Sequence, residues 1–176
     1  MRKKKQSTKN LIEGINWVAD QINSILNEKE KEKYFEGIIL TYTFIEKLLT
    51  WLVFIQIIWN KTERRKQLSK NEIMIIKEYC NNLSMDKLLK LALCVNLIDY
   101  KFFLKLDQIR KERNLLLHEY WSYKHRGNRL ILRKKLEKLA TTANALVECF
   151  NRLVRETGID ESYGLFEVGT GKKFLI

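Results

Sequence analysis

Four residues with the chemistry of proton transfer and phosphate binding lie close together in the second half of the chain. Arg113 and His118 are five residues apart, Asn114 follows the arginine, and Tyr120 follows the histidine by two positions. Histidine titrates near neutral pH, and the arginine guanidinium is a permanent planar cation that suits phosphate. RNA is cleaved without metal when its 2′-hydroxyl attacks the neighbouring phosphate, which leaves 2′,3′-cyclic phosphate ends. In that reaction we expect His118 to move the proton and Arg113 to stabilise the phosphorane charge.

The surroundings of this pair are strongly basic. The chain has 33 Lys and Arg residues against 21 Asp and Glu, a formal net charge of +12, and the segment 110–138 has ten basic residues against three acidic ones. Aromatic residues interleave with these charges, a pattern typical of binding to single-stranded nucleic acid. Without a recognition-helix motif, RNA is favoured over duplex DNA. The predicted RNA-binding residues are Arg110, Lys124, His125, Arg126, Arg129 and Arg133.

The spacing of Arg113 and His118 poses a geometric problem. Five residues place two positions roughly 140° apart around an ideal helix, so the side chains converge only if the helix ends or bends between them. A groove shared between two subunits would also bring an arginine and a histidine together, and Asn114 would then orient the phosphate or cap the helix. The segment Ile38 to Trp59 is apolar on too many sides for one small bundle to cover, which favours a two-fold homodimer.

Composition predicts an all-α protein with one domain. The chain has 176 residues, 45% of them hydrophobic, with no proline and seven glycines, which favours long uninterrupted helices around one core. We predict a basic N-terminal tail over 1–9, an up-and-down helical bundle over 10–156 and a glycine-containing extension over 157–176. Apolar periodicity and caps predict helices over about 11–26, 34–60 and 130–156, one capped by Ser69 or Asn71, one capped by Ser84, and one beginning at Asp99.

The helix that begins near Asp99 has one unexpected residue on its apolar face. Apolar positions recur there every three or four residues, and Arg113 occupies one of them. A guanidinium on an apolar face needs an anion or a partner, and Glu46 or Glu112 could provide it. An ion-paired arginine with a purely structural role is therefore the alternative to a catalytic one.

The segment Arg113-Asn114-Leu115-Leu116-Leu117-His118-Glu119-Tyr120 resembles the R-x4-H motif of HEPN domains, which are all-α RNases. It also resembles the longer R-x4-H-x-Y form of HEPN toxins in HEPN/MNT (minimal nucleotidyltransferase) toxin-antitoxin modules. The motif follows a long helix that contains Phe44 to Leu49 and precedes a final long helix, an order similar to the HEPN bundle over about residues 10 to 155.

This resemblance implies a metal-independent endoribonuclease whose paired motifs meet at a homodimer interface and which acts as a toxin or defence effector. It further implies a nucleotidyltransferase-type antitoxin as partner, which would inactivate the toxin by adding AMP to Tyr120. A catalytically inactive HEPN-like module that binds RNA, nucleotide or protein is the alternative function. A helical adaptor whose basic face contacts nucleic acid or a membrane surface is a third.

Other features bear on the compartment. The basic start is not followed by the apolar region of a signal peptide, and charged residues interrupt the apolar segment Ile38 to Trp59, so that its uncharged run is shorter than the ~20 residues of a membrane span. Cys80, Cys94 and Cys149 are far apart and suit core thiols in a reducing compartment. We expect a cytoplasmic protein without a membrane span, cofactor or metal.

Overall fold

The computed structural model describes residues 6–27, 31–63, 68–118 and 128–157. Within these ranges all regular structure is α-helical, so the predicted all-α class is confirmed. The helices are α1 (Gln6–Asn27), α2 (Lys31–Thr62), α3 (Lys70–Asn81), α4 (Met85–Cys94), α5 (Tyr100–His118) and α6 (Arg129–Thr157). The helix α1 begins four residues before the predicted bundle boundary at residue 10, and the C-terminal extension lies outside the described residues from 158 onwards.

The longest helix, α2, forms the centre of the bundle. It packs most extensively against α6 and also against α1, α3 and α4. Its buried side chains lie on several sides of the helix, as the apolar segment predicts: Tyr34, Ile38, Ile45, Leu48, Leu49, Leu52, Val53, Phe54, Ile55 and Ile58. The span Glu32–Thr62 is long and apolar enough to cross a membrane, but 67% of its most apolar window is buried inside the bundle. A central core helix has the same composition, so the absence of a membrane span stays a prediction.

The start of α3 shows how a local signal fixes a helix end. The Ser69 hydroxyl accepts a hydrogen bond from the Glu72 backbone N–H at 3.3 Å, and the Glu72 carboxylate accepts one from the Ser69 backbone N–H at 2.8 Å. This reciprocal pair is a capping box. Of the two caps that the sequence left open, Ser69 is therefore the N-cap, and Asn71 lies inside the helix.

The three cysteines occupy different environments. Cys80 is buried, and its burial raises the pKa of the thiol to about 11. Cys149 is half-buried, and burial raises its pKa as well. The prediction that all three are core thiols is wrong for Cys94, which is exposed at the end of α4. It lies two positions, or roughly 200° around the helix, from the buried Ala92.

Of the two glycines Gly14 and Gly37, Gly37 is the one at a close crossing between helices. A Cβ atom at this position would lie 3.0 Å from Leu136 Cδ2 of α6 and 3.1 Å from Ile25 Cγ2 of α1. A Cβ atom at Gly14 of α1 would meet nothing within 4 Å. The two glycines therefore give a matched pair of substitutions, one at a crowded helix crossing and one in open space.

We expect Gly14→Ala to stabilise the protein by about 0.5–1 kcal/mol, because alanine has the higher helix propensity and meets no neighbour. In Gly37→Ala the same propensity gain is opposed by displacement of Leu136 and Ile25, so this variant should be at least about 1 kcal/mol less stable than Gly14→Ala. Urea unfolding followed by circular dichroism measures both. Equal stabilisation by the two substitutions would show that the helix crossing tolerates a methyl group.

Candidate functional site

The N-terminus of α5 is fixed by Asp99, whose carboxylate accepts a hydrogen bond from the Phe102 backbone N–H at 2.7 Å. From there α5 presents Leu106, Ile109 and Leu116 to the core, where all three are buried. Arg113 lies between the last two of these positions, at the edge of the apolar face. The helix therefore places the guanidinium where its spacing in the sequence predicts, beside the core rather than on the outer face.

The partner of Arg113 is Glu46 of α2. Arg113 Nη1 lies 3.1 Å from Glu46 Oε2, and the two side chains are 31% and 28% exposed. The cavity beside this pair, bounded also by Tyr42 and Met85, holds only ≈ 10 Å³. That is no more than the space of a single water molecule, so a substrate could reach the guanidinium only from its solvent side.

Arg113 keeps part of its hydrogen-bonding capacity. The closest contact with Glu46 is made by Nη1, and within the described part of the chain no hydrogen bond from Nε or Nη2 is seen. A guanidinium has five N–H donors in a planar fork, and the donors on Nε and Nη2 form one of the pairs that can bind two oxygens of one phosphate. Glu46 therefore orients the guanidinium, and the remaining donors are open to a further acceptor.

Glu112, the other partner considered from the sequence, contacts α6 instead. Its Oε2 lies 3.5 Å from Lys135 Nζ and its Oε1 lies 3.7 Å from Lys138 Nζ. Within α5, Gln108 Nε2 donates to Glu112 Oε1 at 3.0 Å. The choice between Glu46 and Glu112 is thus decided by the arrangement of the helices, because Glu112 faces α6 and Arg113 faces α2.

Arg110, a predicted RNA contact, is held by carboxylates. Its Nη2 lies 2.7 Å from Asp107 Oδ1 and 3.8 Å from Asp86 Oδ1 of α4. Hydrogen bonds from Lys111 and then from Arg110 hold the pKa of Asp107 below its ordinary value. A carboxylate with a lowered folded pKa stabilises the fold above about pH 4 and loses that contribution as the pH falls further. Much of the charge of Arg110 is therefore balanced inside the protein.

The basic residues at the start of α6 differ in whether their side chains have a partner in the described structure. Arg133 Nε donates to Glu137 at 3.0 Å, and Arg129 lies over the ring of the buried Tyr34, 6.0 Å from its centroid. Lys134 is exposed, and no described side chain pairs with it. Lys134 is therefore a cation of α6 that is open to an external anion, and it was not among the RNA-binding residues predicted from the sequence. The sequence contains a signal for this difference. Arg133 has a carboxylate, Glu137, four residues later on the helix and can pair with it, whereas Lys134 has no carboxylate at that spacing.

The other predicted site residues follow Arg113 along the chain. Asn114 is exposed on α5, which continues as one α-helix through His118. Positions 113 and 118 are therefore roughly 140° apart around the same helix, and the helix does not end between them. The side chain of His118, and the whole of Tyr120, Lys124, His125 and Arg126, lie outside the described residues.

Within the described part of the chain, no group of three or more His, Cys, Asp and Glu side chains is placed to hold a metal ion.

The chain matches no model of a protein family, no curated protein and no solved structure. The candidate site is defined by Arg113, its partner Glu46 and the basic side chains of α5 and α6.

The Arg113 to Glu46 pair should contribute modestly to stability, since both groups are about one-third exposed. We expect a double-mutant cycle of Glu46→Gln and Arg113→Ala to give a coupling free energy of about 0.5–1 kcal/mol in urea unfolding. Glu137→Gln is the control, because it removes an exposed pair within one helix and should cost less than about 0.5 kcal/mol. Zero coupling between Glu46 and Arg113 would mean that Glu46 does not hold the guanidinium in solution.

Proposed function

We propose that this protein is a metal-independent endoribonuclease of the HEPN type that acts as a homodimer, with a role as a toxin or defence effector. The observation that carries the proposal is the Arg113 guanidinium, which Glu46 holds through one nitrogen while Nε and Nη2 stay without a described partner. It lies five residues before His118 on one helix, in the most basic part of the chain.

In the proposed reaction, the free edge of Arg113 binds the scissile phosphate and stabilises the negative charge that develops on the phosphorane. His118 removes the proton from the attacking 2′-hydroxyl or donates a proton to the leaving 5′-oxygen, and histidine is the side chain best suited to either transfer near neutral pH. Asn114, exposed next to Arg113, orients the phosphate. The exposed cations of α6, with Lys134 foremost, extend the contact along the RNA backbone.

Helix geometry supports the homodimer in this proposal. Because α5 runs unbroken from Arg113 to His118, one chain presents the two positions in different directions. A two-fold axis beside the C-terminal half of α5 would place the arginine of each protomer near the histidine of the other. Leu115 of α5 and Leu130 and Ile131 of α6 are exposed apolar side chains near this end of the bundle and suit such an interface.

The alternative is a catalytically inactive HEPN-like module that binds RNA, nucleotide or protein. The ion pair with Glu46 favours it, because an arginine with a carboxylate partner has a structural role without any substrate. The proposed modification of Tyr120 by AMP from a nucleotidyltransferase-type antitoxin belongs to the toxin role only. An adduct two residues from His118 would fill the phosphate site and repel RNA.

The catalytic proposal predicts that Arg113→Ala and His118→Ala each lower RNA cleavage by orders of magnitude, whereas EDTA has no effect. The fragments should end in 2′,3′-cyclic phosphate or its hydrolysis product, which mass spectrometry of a short oligonucleotide detects. Arg113→Lys keeps the charge without the planar fork and should also be impaired. The controls are circular dichroism and oligomer mass, which should match the wild-type protein. Cleavage that persists in both alanine variants, or that requires Mg²⁺, would exclude the mechanism, and absence of cleavage by the wild type would favour the binding module.

The assembly proposal predicts a particle of twice 21.1 kDa by light scattering at micromolar concentration. Leu115→Glu should convert it to a monomer, because a charge in an apolar interface opposes association. Leu104→Glu is the matched control, since Leu104 is an exposed leucine on the same helix but far from Arg113. A wild-type monomer would contradict both the interface and the shared site.

A further inference from the structure

The C-terminal half of α5 is attached to three other helices by charged side chains. Arg110 pairs with Asp86 of α4, Glu112 with Lys135 and Lys138 of α6, and Arg113 with Glu46 of α2. Direct packing of α5 is mainly on α4 and is slight on α6. In the described part of the chain, the ion pairs of Glu112 therefore connect α5 to α6 where direct packing is slight.

The Glu112 carboxylate contacts three side chains, two on α6 and one on α5. Its Oε2 faces Lys135, its Oε1 faces Lys138, and Gln108 donates to the same Oε1. The Lys135 side chain is only 16% exposed, so its charge is partly removed from water and depends on nearby oxygen atoms. Loss of the Glu112 charge would weaken its contact with Lys135 and its contact with Lys138 at the same time.

We propose that Glu112 is a positioning residue for the ribonuclease site, and this inference depends on the function proposed above. Its carboxylate fixes the C-terminal half of α5 against α6, immediately before Arg113. Glu112 makes no ion pair with Arg113 in the described part of the chain, and its oxygens are taken up by α6 and Gln108. It therefore acts through the position of the helix rather than through contact with the substrate.

The expected consequence is on the rate of the chemical step. In a shared site, the phosphate-binding edge of Arg113 must meet a histidine from the partner protomer, so a small shift of α5 separates the two catalytic groups. A misplacement of about 1 Å can reduce a rate by ~100-fold. Binding of RNA depends on many separate phosphate contacts and should change little.

The test compares Glu112→Gln with Glu137→Gln in the full-length protein, using a short RNA oligonucleotide. Both variants remove one negative charge that pairs with cations of α6, but Glu137 pairs with Arg133 of its own helix and connects nothing else that the structure describes. We expect Glu112→Gln to lower kcat about 10-fold or more with KM within about 3-fold, and Glu137→Gln to change both by less than about 2-fold.

Hydrogen exchange provides a readout that does not require cleavage. The amides of residues 113–116 should exchange faster in Glu112→Gln than in the wild type or in Glu137→Gln, because the end of α5 opens more often. The double variant Glu112→Lys with Lys135→Glu restores an opposite-charge pair between α5 and α6 and should recover part of kcat. Recovery would separate a positioning role from a general effect of surface charge.

The outcomes are distinguishable. An unchanged kcat for Glu112→Gln, in a wild-type protein that cleaves RNA, would overturn the role of Glu112 alone. A loss that appears only in KM, or equally in Glu137→Gln, would show that the effect does not come from the position of α5 and would also overturn it. A wild-type protein that cleaves no RNA would overturn the proposed function and this role together.

Discussion

The bundle depends on the need to cover α2, a 32-residue helix that is apolar around most of its circumference. The long helices α1 and α6 cover much of it, and the shorter α3 and α4 cover further parts. Its two buried threonines are satisfied within the helix, because Thr41 donates to Gly37 O at 2.7 Å and Thr50 donates to Glu46 O at 2.8 Å. The apolar core extends along α2 from Tyr34 to Ile58.

The position of α5 follows from this arrangement. With most of α2 already covered, α5 packs mainly on α4 and meets α2 over a short stretch around Tyr42, Ile45 and Glu46. A helix in such a position buries few apolar side chains near its end. Near this end, α5 is attached to α2, α4 and α6 by ion pairs as well as by apolar packing. The pair between Arg113 and Glu46 is one of these ion pairs. Arg113 thus has both a structural role and a proposed chemical role. Its guanidinium has enough N–H donors to serve both.

The sequence was sufficient for features that depend on local pattern. Apolar periodicity predicted the helices and the inward position of Arg113, and the start of α5 after Asp99 agrees with its capping carboxylate. The choice of Ser69 over Asn71 was also readable, since Glu72 lies three residues after Ser69 and completes a capping box. These features are set within a few residues along the chain.

Features that depend on contacts between helices could not be predicted in this way. Whether Arg113 pairs with Glu46 or Glu112 is decided by which neighbouring helix packs on each face of α5. Periodicity predicts which face of a helix is buried, but it does not predict which helix covers that face. The burial of charge around Arg110 has the same origin. The exposure of Cys94, in contrast, follows from its position on the side of α4 opposite the buried Ala92, which helical periodicity shows. The roles of His118 and Tyr120 stay predictions, because the structure describes neither side chain.

The ionic attachment of α5 means that salt acts on two parts of the protein in opposite directions. Dissolved ions screen exposed charge pairs over about 8 Å at physiological ionic strength, so concentrated salt weakens the contacts of Arg110, Glu112 and Arg113. Sulfate and phosphate salts strengthen the burial of apolar surface, so the core around α2 is held more firmly under the same conditions. A sample in concentrated ammonium sulfate would therefore keep its fold while the end of α5 loosens, and thermal stability would then be a poor guide to the geometry at Arg113.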